Sequence, residues 1–179
     1  DRVLTILALQ LVYGHDLTPG AIDLIKDLES SIASDLQIVY VHWGSEYKIV
    51  HNNRQSKIAR QLIDAGADMI IGHHPHVTQD IEVYNHRLIF YSLGNFIFDQ
   101  YFSQDVQEGL MLTLERGENW NIDIVPVSSL GSRNVPRIMT KRENDVFLAN
   151  LAKRSDEILS NDIKAGLIQL DSYLQYHHR

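Results

Sequence analysis

Apolar residues along the chain gather in short runs separated by polar stretches, and the spacing inside each run predicts its element. Residues 3–9, VLTILAL, are branched and apolar over strand length, which predicts a buried strand. Thr18 is placed to cap a helix with Pro19 at its first position. Behind it Ala21, Ile22, Leu24, Ile25, Leu28 and Ile32 recur at spacings of three and four, giving one apolar stripe. Residues 36–41, LQIVYV, predict a second strand that ends at His42, Trp43 and Gly44. A helix is expected from about Asn53 to Ala65, with Ile58, Leu62 and Ile63 on its buried side and Gly66 as its stop. Residues 68–71, DMII, predict a third strand that runs into Gly72 and three histidines.

Strand, helix, strand, helix, strand in short succession predicts parallel strands joined by right-handed crossovers, with helices covering a sheet face. The rhythm then changes. Residues 81–84, 88–91, 109–115 and 122–127 read as strands with short connections. NHR (85–87) and RGENWN (116–121) are the expected hairpin turns, so this part is predicted to be antiparallel. From Lys141 onward Val146, Phe147, Leu151 and Ile158, then Ile163, Leu167, Leu170 and Leu174, have helical spacing and predict two closing helices. Residues 129–140, SLGSRNVPRIMT, are the most linker-like. The expectation is an α/β (α+β) chain in which residues 129–179 form a linker and helices closing the domain that residues 1–128 begin.

A length of 179 residues buries a core of ordinary size without help from disulfides or metal. Hydrophobic residues make up 44% and charged residues 22%, a globular composition, and no apolar run is long enough to span a bilayer. The formal charge of −7 comes from 23 acidic and 16 basic side chains that are not gathered into blocks. That argues against binding phosphate backbones, so nucleic acid is not an expected partner. The chain has no cysteine, which excludes disulfides and thiolate metal sites. Any metal must then be held by His, Asp, Glu, Asn or backbone oxygens.

The candidate chemistry lies at strand ends. In open α/β sheets, ligands gather beyond the carboxyl ends of the strands, where loops converge. His42 directly follows the second strand, and HHPH, residues 73–76, follows the third by one glycine, so neighbouring strands would bring the two groups together. Gly72 is expected to let the backbone turn sharply and Pro75 to stiffen the loop. In an extended loop, positions two apart project the same way, so His74 and His76 can grip one ion. Imidazole suits zinc, iron and manganese, ions that turn a bound water into a nucleophile at neutral pH, which is hydrolase chemistry. For His15, His51, His86, His177 and His178 a surface or hydrogen-bonded structural role is the better reading.

Glu46 and Tyr47 close the phrase HWGSEY. A carboxylate four residues from His42 is placed to orient it or to transfer a proton, and a solvated loop acid is an equal alternative. Trp43 either stacks on substrate or plugs the sheet edge, with the second favoured. Gly94 and Asn95 interrupt two apolar runs in YSLGNFIFDQ, residues 91–100, which points to a tight turn or bulge at the site rim. Asn95 and Asp99 are candidates for contact with metal or substrate, against core and turn roles.

VHWGSEY (41–47), LIDAGADMIIGHHPHVTQDIEVY (62–84) and LIFYSLGNFIFDQ (88–100) together resemble the bacterial capsule-synthesis CapA family, the poly-γ-glutamate biosynthesis proteins. The likeness is dense over residues 35–100. It implies a calcineurin-like metallophosphatase fold, a β-sandwich flanked by helices, with a centre for two divalent ions, Mn, Fe or Zn. Position by position it implies His42, His74 and His76 as metal ligands, and no role carries over to His73; Glu46, read from its place in HWGSEY, is expected beside them as the catalytic or supporting carboxylate. The resemblance also implies work on an anionic polymer or a phosphoester or amide bond. Membrane-associated capsule-synthesis proteins would be its partners, at an extracytoplasmic, membrane-associated location reached through a segment absent from this chain.

The early carboxylate, Gly-Asp and Asn-His phrases of such enzymes are missing here. Three histidines do not complete a two-ion centre, so the chain is expected to be the C-terminal part of this fold. An upstream half or a second chain would then complete it. The alternative function is a non-catalytic scaffold or polymer-binding subunit of a membrane-associated capsule assembly.

Overall fold

The computed structural model describes residues 3–12, 17–31, 35–117 and 119–173. Strand β1 (Leu4–Gln10), helix α1 (Pro19–Ser31), strand β2 (Leu36–His42), helix α2 (Asn53–Asp64) and strand β3 (Met69–His73) follow one another in the expected order. The hydroxyl of Thr18 accepts from the Ala21 amide at 3.3 Å, so the start of α1 is capped as its sequence predicts. Asn52 caps α2 by accepting from the amides of Arg54 and Gln55, and Gln55 reaches back to the Asn52 amide.

Strands β4 (Ile81–Tyr84) and β5 (Arg87–Phe90) form the hairpin expected around NHR, with Asn85 and His86 both at positive φ. The first sheet has the order β1-β2-β3-β5-β4, in which β1, β2, β3 and β5 are parallel and β4 is antiparallel. On one face Val39, Val41, Ile70 and Ile89 pack against Ile25 of α1 and Ile58, Ala59 and Leu62 of α2. On the other face Leu36, Ile38, Met69, Leu88 and Phe90 form the larger core. Burial on both faces explains why β2 and β3 read as unbroken apolar runs. The side chain of Ile32, part of the expected stripe, lies outside the described residues, as do those of Leu24 and Leu28.

The second sheet supplies the opposite wall of that larger core. Strands β6 (Glu108–Arg116), β8 (Arg137–Ile138) and β9 (Leu167–Gln169) all pair antiparallel with β7 (Trp120–Ser128). Leu110, Ile122, Ile124 and Ile168 face the first sheet, and helices α3 (Lys141–Arg154) and α4 (Ser160–Ala165) add Leu148, Leu151 and Ile163. The expected linker is thus partly a strand.

Two expectations for the closing segment are overturned. Only α3 is a long helix; α4 stops at Gly166, which takes φ 73 and uses its carbonyl to accept from the Ile124 amide at 2.8 Å. Beyond it Leu167 and Gln169 are exposed and Ile168 is buried, the period of a strand. Leu174 lies outside the described residues. Ile158 was expected in the core and is 68% exposed. The reason is that the chain leaves α3 to cover the edge of β4: Ser155 Oγ and Asp156 Oδ2 accept from the Ile81 and Val83 amides, and the Asp156 amide donates to the Ile81 carbonyl.

The N-terminus of α3 is held by charge. Both carboxylate oxygens of Glu143 accept from Arg137, and Oε2 also accepts from the Thr140 amide and hydroxyl. Arg137 first, then Thr140, pull the Glu143 carboxyl down to about 2 from its ordinary 4.5. A carboxyl whose folded pKa is depressed stabilises the fold fully above its unfolded pKa, and loses that contribution as pH falls through the folded one. Stability should therefore fall between about pH 4.5 and 2, and Glu143→Gln should remove part of that slope; acid titration followed by circular dichroism checks it.

Candidate metal centre

The site begins with two adjacent strand ends. Val41 lies opposite Gly72 and His42 opposite His73, and the Trp43 amide donates to the His73 carbonyl at 2.9 Å. Trp43 is fully buried and its indole N–H donates to the Tyr91 carbonyl at 2.9 Å, so it plugs the sheet and does not face a substrate. Gly72 makes no turn. It continues β3, and glycine is required because an added Cβ would lie 2.0 Å from the Tyr91 oxygen and 2.5 Å from the Trp43 indole nitrogen.

The loop that follows is not extended, contrary to the sequence expectation. His74 takes φ 100 and His76 takes φ 62, with Pro75 between them. Tyr47, at φ 60, donates its amide to the Pro75 carbonyl at 2.8 Å, which ties the HWGSEY segment to the histidine loop. Three non-glycine residues at positive φ in one place represent stored strain, on the order of 1–3 kcal/mol each, of the kind that concentrates at functional sites.

This backbone brings His42, His74 and His76 together. The ring centroids of His42 and His74 are 4.9 Å apart and those of His74 and His76 are 5.7 Å apart. One donor atom from each of Glu46, His74 and His76 lies within 4.8 Å of the other two, close enough to share a cation. Glu46 Oε1 is 3.9 Å from His76 Nε2, which puts this carboxylate among the donors themselves. His42 packs on His74 beside that trio. Burial, then the neighbouring His74 and His76, lower the His42 pKa, and burial, then His76, lower that of His74. Both rings are therefore held toward the neutral form that binds metal.

Asn95 decides which nitrogen His76 offers. Its amide nitrogen donates to the Val106 carbonyl at 3.0 Å and to Gln100 Oε1 at 3.3 Å, which leaves Oδ1 facing His76 Nδ1 at 3.0 Å. An oxygen there requires a proton on Nδ1, so the lone pair of Nε2 points toward Glu46. Gln100 is fixed in turn by donating to the Tyr47 hydroxyl, and Tyr47 and Phe98 pack on the His76 ring with centroids 5.9 and 4.8 Å away. Asn95→Leu is expected to leave the fold intact and weaken divalent-ion binding by roughly 10–100-fold, as measured by competition against a chromophoric chelator.

Asp99 is exposed, and among the described residues no hydrogen bond or ion pair joins it to these histidines. The structure thus places Asn95 beside the site and not Asp99. His51 pairs with Asp80 at 2.6 Å and stacks on Tyr91, a structural role, and His86 lies in a turn. His15, His177 and His178 lie outside the described residues. His73 stacks on Tyr40, and its Nε2 is buried without a hydrogen-bond partner; burial, then His42, lower its pKa to about 4.

Sequence reasoning missed the roles of Gln100, Phe98 and the Val106 carbonyl. Only the clustering of polar and aromatic residues in NFIFDQ pointed that way.

Residues 17–100 match the family described as "Bacterial capsule synthesis protein PGA_cap". The chain is 34% identical over 164 residues to the PGA biosynthesis protein CapA of Bacillus subtilis, covering 81% of this chain and 43% of that protein. It is 45% identical over 96 residues to the capsule biosynthesis protein CapA of Bacillus anthracis, covering 53% of this chain and 23% of that one. A "Probable polyglutamine synthesis accessory protein" of Mycobacterium tuberculosis is 33% identical over 86 residues, covering 45% and 23%. The chain spans less than half the length of each of these relatives.

Proposed function

Because the chain belongs to the bacterial capsule-synthesis CapA family, we propose that it serves capsule formation through a divalent-cation site of metallophosphatase type. The observation that carries this reading is the convergence of Glu46, His74 and His76 donor atoms within 4.8 Å at adjacent strand ends. Imidazole and carboxylate together suit zinc, manganese or iron. A divalent ion there would supply Lewis acidity and bring the pKa of water toward neutrality. Glu46 offsets part of the ion's charge, His74 and His76 present lone pairs, and Asn95 keeps the His76 proton on Nδ1. The proposed substrate is a phosphoester or amide bond associated with an anionic polymer, poly-γ-glutamate.

A scaffold reading is favoured by a different observation. Three neutral imidazoles and one carboxylate offset a single unit of the charge that a pair of divalent ions would bring, so these residues suit one ion. Strand β1 pairs only with β2 among the described residues, and on the core side Leu4 and Ile6 are 45% and 63% exposed. Further strands would fit along that edge, and ligands carried on them would restore the enzyme reading. The test is hydrolysis of bis(p-nitrophenyl) phosphate with Mn²⁺ or Zn²⁺, using a chain of the relatives' full length. Turnover lost in His74→Ala and His76→Ala supports the enzyme; tight metal binding without turnover supports the scaffold.

A further inference from the structure

Large apolar side chains scattered singly over a surface need no explanation, whereas a set gathered in one place marks a binding surface. In this molecule such a set gathers at the donor trio. Phe98 and Tyr47, each 42% exposed, pack on the His76 ring with centroids 4.8 and 5.9 Å away. Phe102, 66% exposed, meets the Tyr47 ring edge-on at 5.1 Å. Two exposed rings therefore touch the imidazole that lies 3.9 Å from Glu46, and a third extends that apolar wall outward. Phe96 and Ile97, also exposed, belong to the same segment.

These rings are held in place before any ligand arrives. Tyr47 is fixed at φ 60 by its amide on the Pro75 carbonyl, and its hydroxyl accepts from Gln100, which itself accepts from the Asn95 amide. A wall ordered in advance loses little freedom when a ligand covers it. The charged groups that act on His42 and His74 are other histidines and Glu46, with no lysine or arginine among them. The carboxylates of a polyanion would find no counter-charge there, but an uncharged hydrocarbon would find three rings.

We propose that Tyr47, Phe98 and Phe102 determine the specificity of this site by seating the hydrocarbon chain of an amphiphilic phosphoester whose phosphoryl group lies at Glu46, His74 and His76. The inference rests on the cation-site reading above and narrows its substrate to a phosphate ester of a lipid-like alcohol. Phe98 lies against His76 itself, so a group seated beside the trio cannot avoid that ring. Covering exposed aromatic and alkyl surface supplies the gain in affinity.

The experiment is calorimetric titration with ethyl, hexyl and decyl phosphate in the presence of Mn²⁺, below the concentrations at which they form micelles. Affinity is expected to rise about tenfold or more from ethyl to hexyl, which corresponds to about 1.4 kcal/mol, and to rise again for decyl. Phe102→Ser should flatten that dependence, and Phe102→Leu, which keeps an apolar side chain, should retain most of it. In EDTA the uncharged dye N-phenyl-1-naphthylamine should bind saturably to the wild type and far more weakly to Phe102→Ser. Absence of Mn²⁺ binding by chelator competition would sink the proposed function, and the dye would then decide for or against the apolar wall by itself. Ester affinities independent of chain length, a dependence unchanged in Phe102→Ser, or no saturable dye binding would overturn the proposal. So would adsorption to phosphatidylcholine vesicles in place of discrimination among the esters, which would assign the wall to a bilayer surface.

Discussion

Gly72→Ala is expected to lower stability by roughly 4 kcal/mol, far beyond an ordinary surface change. The added carbon would meet the backbone oxygen of Tyr91 at 2.0 Å and the Trp43 indole nitrogen at 2.5 Å, and neither can yield. Trp43 is fully buried and Tyr91 is fixed in the core, its hydroxyl donating to Glu82 at 2.5 Å. Relief would require β3 to shift from the Tyr91 backbone and the Trp43 indole, which disturbs its pairing with β5 and β2 and displaces the strand end carrying His73. Gly20→Ala is the control: it lies in α1 with nothing within 4 Å of its Cβ, so stability should change by no more than about 1 kcal/mol. Urea denaturation of the two variants decides between a local steric requirement and a general intolerance of lost glycine.

His74→Ala and His76→Ala should each reduce affinity for Zn²⁺ or Mn²⁺ by more than the roughly 10–100-fold expected for loss of an orienting partner such as Asn95. The ranking is as informative as the size. Glu46 belongs to the donor trio and should follow the two histidines, whereas His42, packed beside the trio, should weaken binding to about the same degree as Asn95. A second consequence separates strain from ligation. His74 sits at φ 100, where glycine is at ease, so His74→Gly should abolish binding and yet stabilise the fold by about 1 kcal/mol. Chelator competition gives the first quantity and urea denaturation the second. Equal losses at His42 and His74 would place His42 among the ligands and contradict the trio, and destabilisation by His74→Gly would show that the loop is not strained.

The parts of this molecule legible in its sequence are those governed by local periodicity. Continuous apolar runs marked β2 and β3 because both of their faces are covered, and Thr18 and Gly66 marked helix ends through capping chemistry, whereas the Asn52 cap of α2 emerged only in the structure. The end of the chain was misread where a tertiary demand overrides periodicity. Leu167 and Leu170 keep helical spacing, but Ile122, Ile124 and the free edge of β7 draw that segment into a strand once Gly166 has turned it. For the site, proximity of the histidines followed from strand order, which sequence rhythm predicts. The φ values of His74 and His76 did not, since positive φ outside glycine leaves no mark in composition. Nor did the chain from Tyr47 through Gln100 and Asn95 to His76, whose members are up to 53 positions apart and meet only in three dimensions.

The central claim is that Glu46, His74 and His76 hold one cation between them. Crystals grown with Mn²⁺ and measured for anomalous scattering test it most directly. A single peak touching the Glu46 carboxylate and both imidazoles, with His76 bound through Nε2, is the predicted result. Full-strength Mn²⁺ peaks elsewhere on the protein, with that space empty and the three side chains still facing it, would contradict it.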